Sequence, residues 1–234
     1  MTRNTPSDKR LVLFDIDGTL ISTNGDGVRA MMEAYTAIWG KDPTDVPYSM
    51  SGKTELGISH ELLALMGFTR AQVEEKIHHF WEDYPRMLTH HLSPERTVVH
   101  PGIREALAAV AAHPDMVLGL LTGNCEAAAQ VKMEVAGLEG FELGAYGAHH
   151  EHREELPPIA VEEALRHTGH HFSGKSIVII GDTPNDIRCG RGVGARSIAV
   201  ATGRIPTSTL RQHHPDYCFE NLADTGALMD AILN

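Results

Sequence analysis

The stretch LVLFDIDGTLI, residues 11–21, carries four consecutive strand-forming residues straight into Asp15, Asp17 and Gly18. A short, continuous apolar run reads as a strand buried on both faces of a sheet. An ionised carboxylate is costly away from water, so acids at the end of such a strand imply a task there. Residues two apart in a strand face the same way, which brings Asp15 and Asp17 toward one point. Gly18 lets the backbone turn sharply or approach a ligand. Two carboxylates alone repel, and one tends to keep its proton. A divalent cation relieves this. Mg²⁺ takes oxygen ligands and retains waters, so it suits a site with few carboxylates. The alternatives here are an incidental acidic turn or half a calcium loop, although an EF-hand needs more ligands and flanking helices.

Further strand-like runs recur along the chain: MVLGLLT (116–122), FELGAYG (141–147), SIVIIGD (176–182) and RSIAVAT (196–202). Helix-like segments alternate with them at 125–138, 157–169 and 183–193. The second begins with proline and ends with glycine, the expected asymmetry. Strands alternating with helices predict an α/β fold, a Rossmann-like parallel sheet with helices on both faces. Residues 22–96 break the alternation. Val28, Met31, Met32, Tyr35 and Ile38 recur at helical spacing there, and 55–67 and 70–84 also read as amphipathic helices. The expected organisation is a core of residues 1–21 and 97–234 with an inserted all-α unit of residues 22–96.

In open α/β sheets ligands bind outside the carboxyl ends of the strands. The polar residues follow that rule. Thr122, Gly123 and Asn124 close the 116–121 run, and a hydroxyl with turn N–H groups suits a phosphate oxygen. Asp182 ends a buried strand and Asp186 lies one helical turn on, so both can face one site. One can ligate a metal while the other holds a metal-bound water or orients a cationic side chain. Such a site needs a compensating cation. Lys175 precedes its strand, at the wrong end of the sheet, and Lys132 sits well down a helix. Arg153 falls between a strand and the next helix at the right end, and its planar fork suits phosphate. A surface arginine in a charged loop is the alternative.

The bulk numbers bound the partners. The chain has 234 residues, 42% apolar, with a formal net charge of −11. That charge disfavours nonspecific nucleic-acid or anionic-membrane binding, both of which use basic patches. No apolar run is long enough to span a bilayer. Three widely spaced cysteines form neither a disulfide framework nor a zinc pattern, and a reducing cytoplasm is the expected location. The fifteen histidines come largely in pairs. The most ligand-like cluster, HHEHREE at 149–155, reads as a solvated polar loop. The first ten residues lack a signal-peptide apolar region and read as a short lead-in.

Taken in order from Leu11 to about Ala201, these segments resemble the haloacid dehalogenase-like hydrolase superfamily. The resemblance implies that Asp15 is a nucleophile and Asp17 the general acid and base. It implies that Asp15, Asp17, Asp182 and Asp186 hold Mg²⁺, and that Thr122, Gly123, Asn124 and Arg153 bind phosphate. Arg153 stands where the family usually has lysine. The helical insertion resembles the family's mobile cap, and MSGKTELGI (50–58) resembles a substrate-facing cap segment of phosphoglycolate phosphatase-like members, where Lys53 would meet an acidic substrate group. Asp17 favours phosphate esters over halides, because an alkoxide leaving group needs a proton. The expected activity is hydrolysis of a small phosphorylated metabolite through an aspartyl-phosphate, by a monomer or homodimer. Two rivals stay open: a β-phosphoglucomutase-type phosphomutase, and a non-enzymatic phospho-acceptor such as a receiver.

Overall fold

The computed structural model describes residues 9–234, so the expected lead-in lies for the most part outside the described residues. Strand β1 (Arg10–Phe14) runs through the centre of a six-stranded, all-parallel sheet. Its neighbours are β4 (Met116–Leu121) and β6 (Ile177–Gly181). Strand β5 (Leu143–Ala145) lies outside β4, and β7 (Arg196–Val200) and β8 (Tyr217–Phe219) lie beyond β6. The chain therefore builds outward to one side of β1 and returns to build on the other. A crevice opens at such a reversal, at the carboxyl ends of the strands.

Period-two alternation divides the strand side chains between two cores. Val12, Phe14, Leu118, Leu120, Val178 and Ile180 meet α4 (Ile103–Ala112) and α9 (Thr225–Leu233) on one face. Leu11, Leu13, Val117, Leu121, Ile177 and Ile179 meet α6 (Leu156–Thr168) on the other. Burial on both faces explains why the paired stretches 11–14, 116–121 and 177–181 are apolar throughout. The expected strand at 141–147 pairs only over Leu143–Ala145. The expected helix at 183–193 is α7 (Pro184–Cys189) continued as a tighter 3₁₀ turn to Val193.

Between β2 (Ile21–Ser22) and β3 (Val98–Val99) the chain forms helices α1 (Asp26–Trp39), α2 (Glu55–Leu65) and α3 (Arg70–His91). They enclose a third core. Tyr35 stacks on Phe80 at 4.8 Å and Phe80 on Tyr84 at 5.1 Å, and such pairs contribute about 0.5–1.5 kcal/mol each beyond area burial. Met31 and Tyr35 are buried as their spacing predicts, but Val28 is exposed. The first turn of α1 is held by charge instead: buried Asp26 pairs with Arg29 and, at 2.7 Å, with Arg96. Asp26 opens α1 and Arg96 shortly precedes β3, so the pair ties the two chain crossings that β2 and β3 pair antiparallel.

Helix α5 (Glu126–Ala136) belongs to both units. Ala129, Met133 and Ala136 face the sheet core, while Cys125 and Ala128 join the core of the insertion. Among the described residues no helix is long and apolar enough to cross a membrane.

Candidate active site

Two strand ends and a helix start converge at the crevice. Asp15 follows β1, and its N–H continues the ladder to the Ile180 carbonyl at 3.0 Å. Asp182 follows β6, and Asp186 sits in the first turn of α7. Thr183 caps that helix, and one Asp186 oxygen accepts from the Thr183 N–H (2.9 Å) and hydroxyl (2.6 Å). The capping box fixes the carboxylate and leaves its other oxygen turned inward. Asp15, Asp182 and Asp186 are all buried, with oxygens within 4.8 Å of one another.

Arg153 completes this cluster. It is buried, and its Nη2 lies 2.9 Å from Asp15 and 2.5 Å from Asp186. The same nitrogen donates to the Leu121 carbonyl at 3.3 Å. The chain positions it through a 3₁₀ turn, Arg153–Glu155, that opens α6. Burial opposes its charge, but Asp186 and Asp15 outweigh burial and hold the guanidinium firmly protonated.

One cation does not balance three buried carboxylates. Burial pushes Asp15 up to about 6, with Asp186 and Asp17 adding to the effect and Arg153 opposing it. Burial pushes Asp182 up to about 8, reinforced by Asp186 and Asp15. The pocket is short of positive charge and offers only hard oxygen donors, the chemistry a small divalent ion requires. The space is set by close approach: a Cβ on Gly203 would stand 1.8 Å from Asp182 Oδ2, and one on Gly18 2.4 Å from it. Gly18 also has φ +87°, which L side chains rarely adopt.

Asp17 does not join this group. Its side chain is 44% exposed and turns toward α5, where Lys132 Nζ lies at 2.6 Å and Asn124 Nδ2 at 2.8 Å. The strand ends at Phe14, so the alternation that would align residues 15 and 17 no longer governs the chain. Asn124 also donates to the Thr122 hydroxyl oxygen at 2.8 Å and accepts from Lys132 at 2.5 Å. Thr122, Gly123 and Asn124 thus form a tight turn beside both carboxylate groups.

Lys132 is the residue that sequence reasoning set aside. Its side chain is 4% exposed. It lies seven residues after Cys125, hence on the same helix face, within the apolar stripe Ala128, Ala129, Met133 and Ala136. A lysine on a buried stripe is the signal that finds it. Glu55 is the second such residue, a buried acid whose Oε2 accepts from the Cys125 N–H at 2.7 Å. Burial pushes it up to about 7, with Lys132 opposing. Lys53 is placed differently from expectation: its ammonium pairs with Glu61 and lies 3.1 Å from the Tyr48 hydroxyl.

The insertion closes against these turns. Glu55 N–H donates to the Gly123 carbonyl (2.7 Å) and Leu56 N–H to the Gly147 carbonyl (3.2 Å). Thr54 donates to the Glu151 carbonyl (2.7 Å), and Asn185 to the Gly52 carbonyl (3.0 Å). Glu151 also receives His60 at 2.8 Å and Arg70 at 3.0 Å. The loop carrying Glu151 therefore packs against the helical unit, and its histidines are outside the acidic group.

A model of the haloacid dehalogenase-like hydrolase family matches residues 12–200, a range that includes Asp15, Asp17, Thr122, Arg153, Asp182 and Asp186. The chain belongs to that family. It is 22% identical to a phosphoglycolate phosphatase of Vibrio cholerae over 96% of this chain and 97% of that one. It is 25% identical to the pyrophosphatase PpaX of Oceanobacillus iheyensis over 92% and 94% of the two chains. The fold is similar to that of CbbY from Rhodobacter sphaeroides, solved in complex with phosphate, with a TM-score of 0.65, 18% identity, and coverage of 93% of this chain and 96% of that one. The range matched by the haloacid dehalogenase-like family includes the three acids, Asp15, Asp182 and Asp186, that the fold groups at the crevice.

Proposed function

We propose that this hydrolase is a Mg²⁺-dependent phosphatase that cleaves a small phosphorylated metabolite, of the phosphoglycolate phosphatase kind, through an aspartyl-phosphate on Asp15. The observation that carries the reading is Asp15 itself: a buried carboxylate at a strand end, gripped by Arg153 and grouped with Asp182 and Asp186. Asp15, Asp182 and Asp186 would hold the ion, which supplies positive charge to the phosphoryl oxygens and relieves the repulsion among the acids.

The chain's own groups do the rest. Arg153 fixes one Asp15 oxygen, leaving the other to attack phosphorus in line. Arg153, the Thr122 hydroxyl and the Gly123 N–H would face the equatorial oxygens, where charge accumulates, while the Asn124 N–H holds the Thr122 oxygen at 3.3 Å. Asp17 gives a proton to the leaving oxygen as the ester bond breaks. It then takes one from the water that attacks the phosphorus and releases Asp15. Lys132 and Asn124 hold Asp17 in place through both halves.

Residues 22–96 act as a cap over a core of residues 1–21 and 97–234, excluding water while the acyl-phosphate exists. In this closed form Lys53 must leave Glu61 to meet an acidic substrate group. A cytoplasmic monomer or homodimer completes the reading.

The test is phosphate release from a panel of small phosphate esters, with Mg²⁺ and with chelator. Mg²⁺-dependent release from at least one ester is expected. Accumulation of a sugar-phosphate isomer in place of phosphate, or a stable phospho-Asp15 with no turnover, would overturn it.

A further inference from the structure

Glu55 belongs to the insertion, yet its bonds grip the core on both sides of Asn124. Its N–H donates to the carbonyl of Gly123, the residue before (2.7 Å). Its Oε2 accepts from the N–H of Cys125, the residue after (2.7 Å). Asn124 between them bonds Asp17 and Lys132 through its side chain. One residue of the insertion thereby fixes the two peptide units that aim Asn124.

The mounting of Glu55 is rigid. Thr54 caps α2 by accepting from the Gly57 N–H at 3.1 Å. The Glu55 carbonyl accepts from Ser59 Oγ at 2.8 Å, and Ser59 pairs with the Tyr35 hydroxyl at 2.9 Å. Tyr35 lies in the aromatic stack with Phe80 and Tyr84. The grip is therefore tied to the centre of the helical core. An acid has no reason to be buried for packing alone, since leucine would fill the volume without desolvation cost. Glu55 Oε1 has no hydrogen-bond partner. That cost is retained where the helical unit meets the Asn124 turn.

We propose that Glu55 is a positioning residue: by holding Gly123 and Cys125 it sets Asn124 and Lys132 against Asp17, and it does so only while the helical insertion is seated on the core. The site is incomplete with the insertion lifted, because the grip travels with α2. This rests on the phosphatase reading above.

The test compares Glu55→Ala and Glu55→Gln with the native chain, using p-nitrophenyl phosphate and an alkyl phosphate with Mg²⁺. Glutamine still offers an oxygen to the Cys125 N–H, whereas alanine offers none. Expected for alanine is a kcat at least about tenfold lower on the alkyl ester, with KM within about threefold, and a smaller loss on p-nitrophenyl phosphate, whose leaving group needs no proton. Glutamine should restore kcat to within about threefold of native. Amide exchange at Cys125 should speed up in the alanine variant and stay slow in the glutamine variant. Unchanged kcat in the alanine variant, or equal losses for both esters and both substitutions, would overturn the proposal. A native chain that releases phosphate from no ester would instead overturn the phosphatase reading.

Discussion

Gly57 offers a way to lift the insertion without touching a charged group. It is the third residue of α2, and a Cβ built there would stand 2.4 Å from the Glu151 carbonyl oxygen. Carbon and oxygen settle at about 3.3 Å or more, so alanine at 57 must push the helix about 1 Å off the core. Both partners are backbone atoms, or fixed to backbone, so neither can swing aside. The helix itself tolerates the change and gains up to about 1 kcal/mol from alanine's propensity. Lost on displacement are the Thr54 bond to Glu151, the Leu56 bond to Gly147 and the Glu55 bond to Gly123. At about 0.5–1.5 kcal/mol each, closure weakens by roughly 2–4 kcal/mol. Where closure limits turnover, kcat falls by about thirtyfold to several hundredfold. The assay is steady-state phosphate release by Gly57→Ala with Mg²⁺, alongside a thermal melt. An essentially unchanged melt with a large fall in kcat is expected. Native kcat in this variant would refute the reasoning, since the structure allows no seated insertion with a methyl group there.

Asp15→Asn should abolish turnover on every ester while leaving far-ultraviolet dichroism native; substantial residual activity would remove Asp15 from the nucleophile's role. Lys132→Met should lower kcat by about tenfold or more and destabilise the fold by about 1–3 kcal/mol in urea titration, because it strips the buried Asn124 oxygen of its donor. For the acids, the folded state holds Asp182 at about 8 and Asp15 at about 6, above their common value of 3.8 when unfolded. The folded chain thus binds more protons between about pH 4 and 8. With chelator present, the contribution of these two acids to stability is highest near the lower bound and falls as pH rises, by up to about 2.7 kcal/mol per pH unit where both stay protonated and about 1.4 where only Asp182 does. Asp182→Asn should flatten the slope, and Mg²⁺ should raise the melting temperature more at pH 8 than at pH 5.

What was legible in the sequence follows from how local each signal is. The buried strands announce themselves as apolar runs, and the acids that end them stand out because nothing in a core calls for them. Asp15, Asp182 and Asp186 were readable for that reason, and Arg153 was readable from its place between a strand and a helix. The paired linker strands β2 and β3 and the edge strand β8 are two or three residues long, too short to show a period. Asp17 was placed one step too far: period two holds inside a strand, and β1 stops at Phe14. The contacts of Lys53 depend on Tyr48 and Glu61, and no single segment shows them.

Lys132 and Glu55 mark where reading element by element runs out. The sequence shows Lys132 only as a lysine well down its helix, and nothing in it singles out Glu55 at the start of another. Their meaning arises only when α2 from the insertion meets the start of α5 from the core. The core alone supplies the three buried carboxylates and Arg153, the part that would hold an ion and a phosphoryl group. Control of Asp17 is divided, with Lys132 and Asn124 on the core and Glu55 on the insertion. That division makes chemistry conditional on closure. On the proposed reading, phosphate enters before the insertion seats, and the turn that aims Asn124 is held from both sides only in the seated form. A variant that cannot seat should therefore still bind inorganic phosphate with Mg²⁺ while turning over esters slowly. Gly57→Ala, measured by phosphate inhibition or calorimetry beside its kcat, separates the two: equal loss of phosphate affinity and turnover would show that binding, too, depends on the insertion, and would dissolve the division argued here.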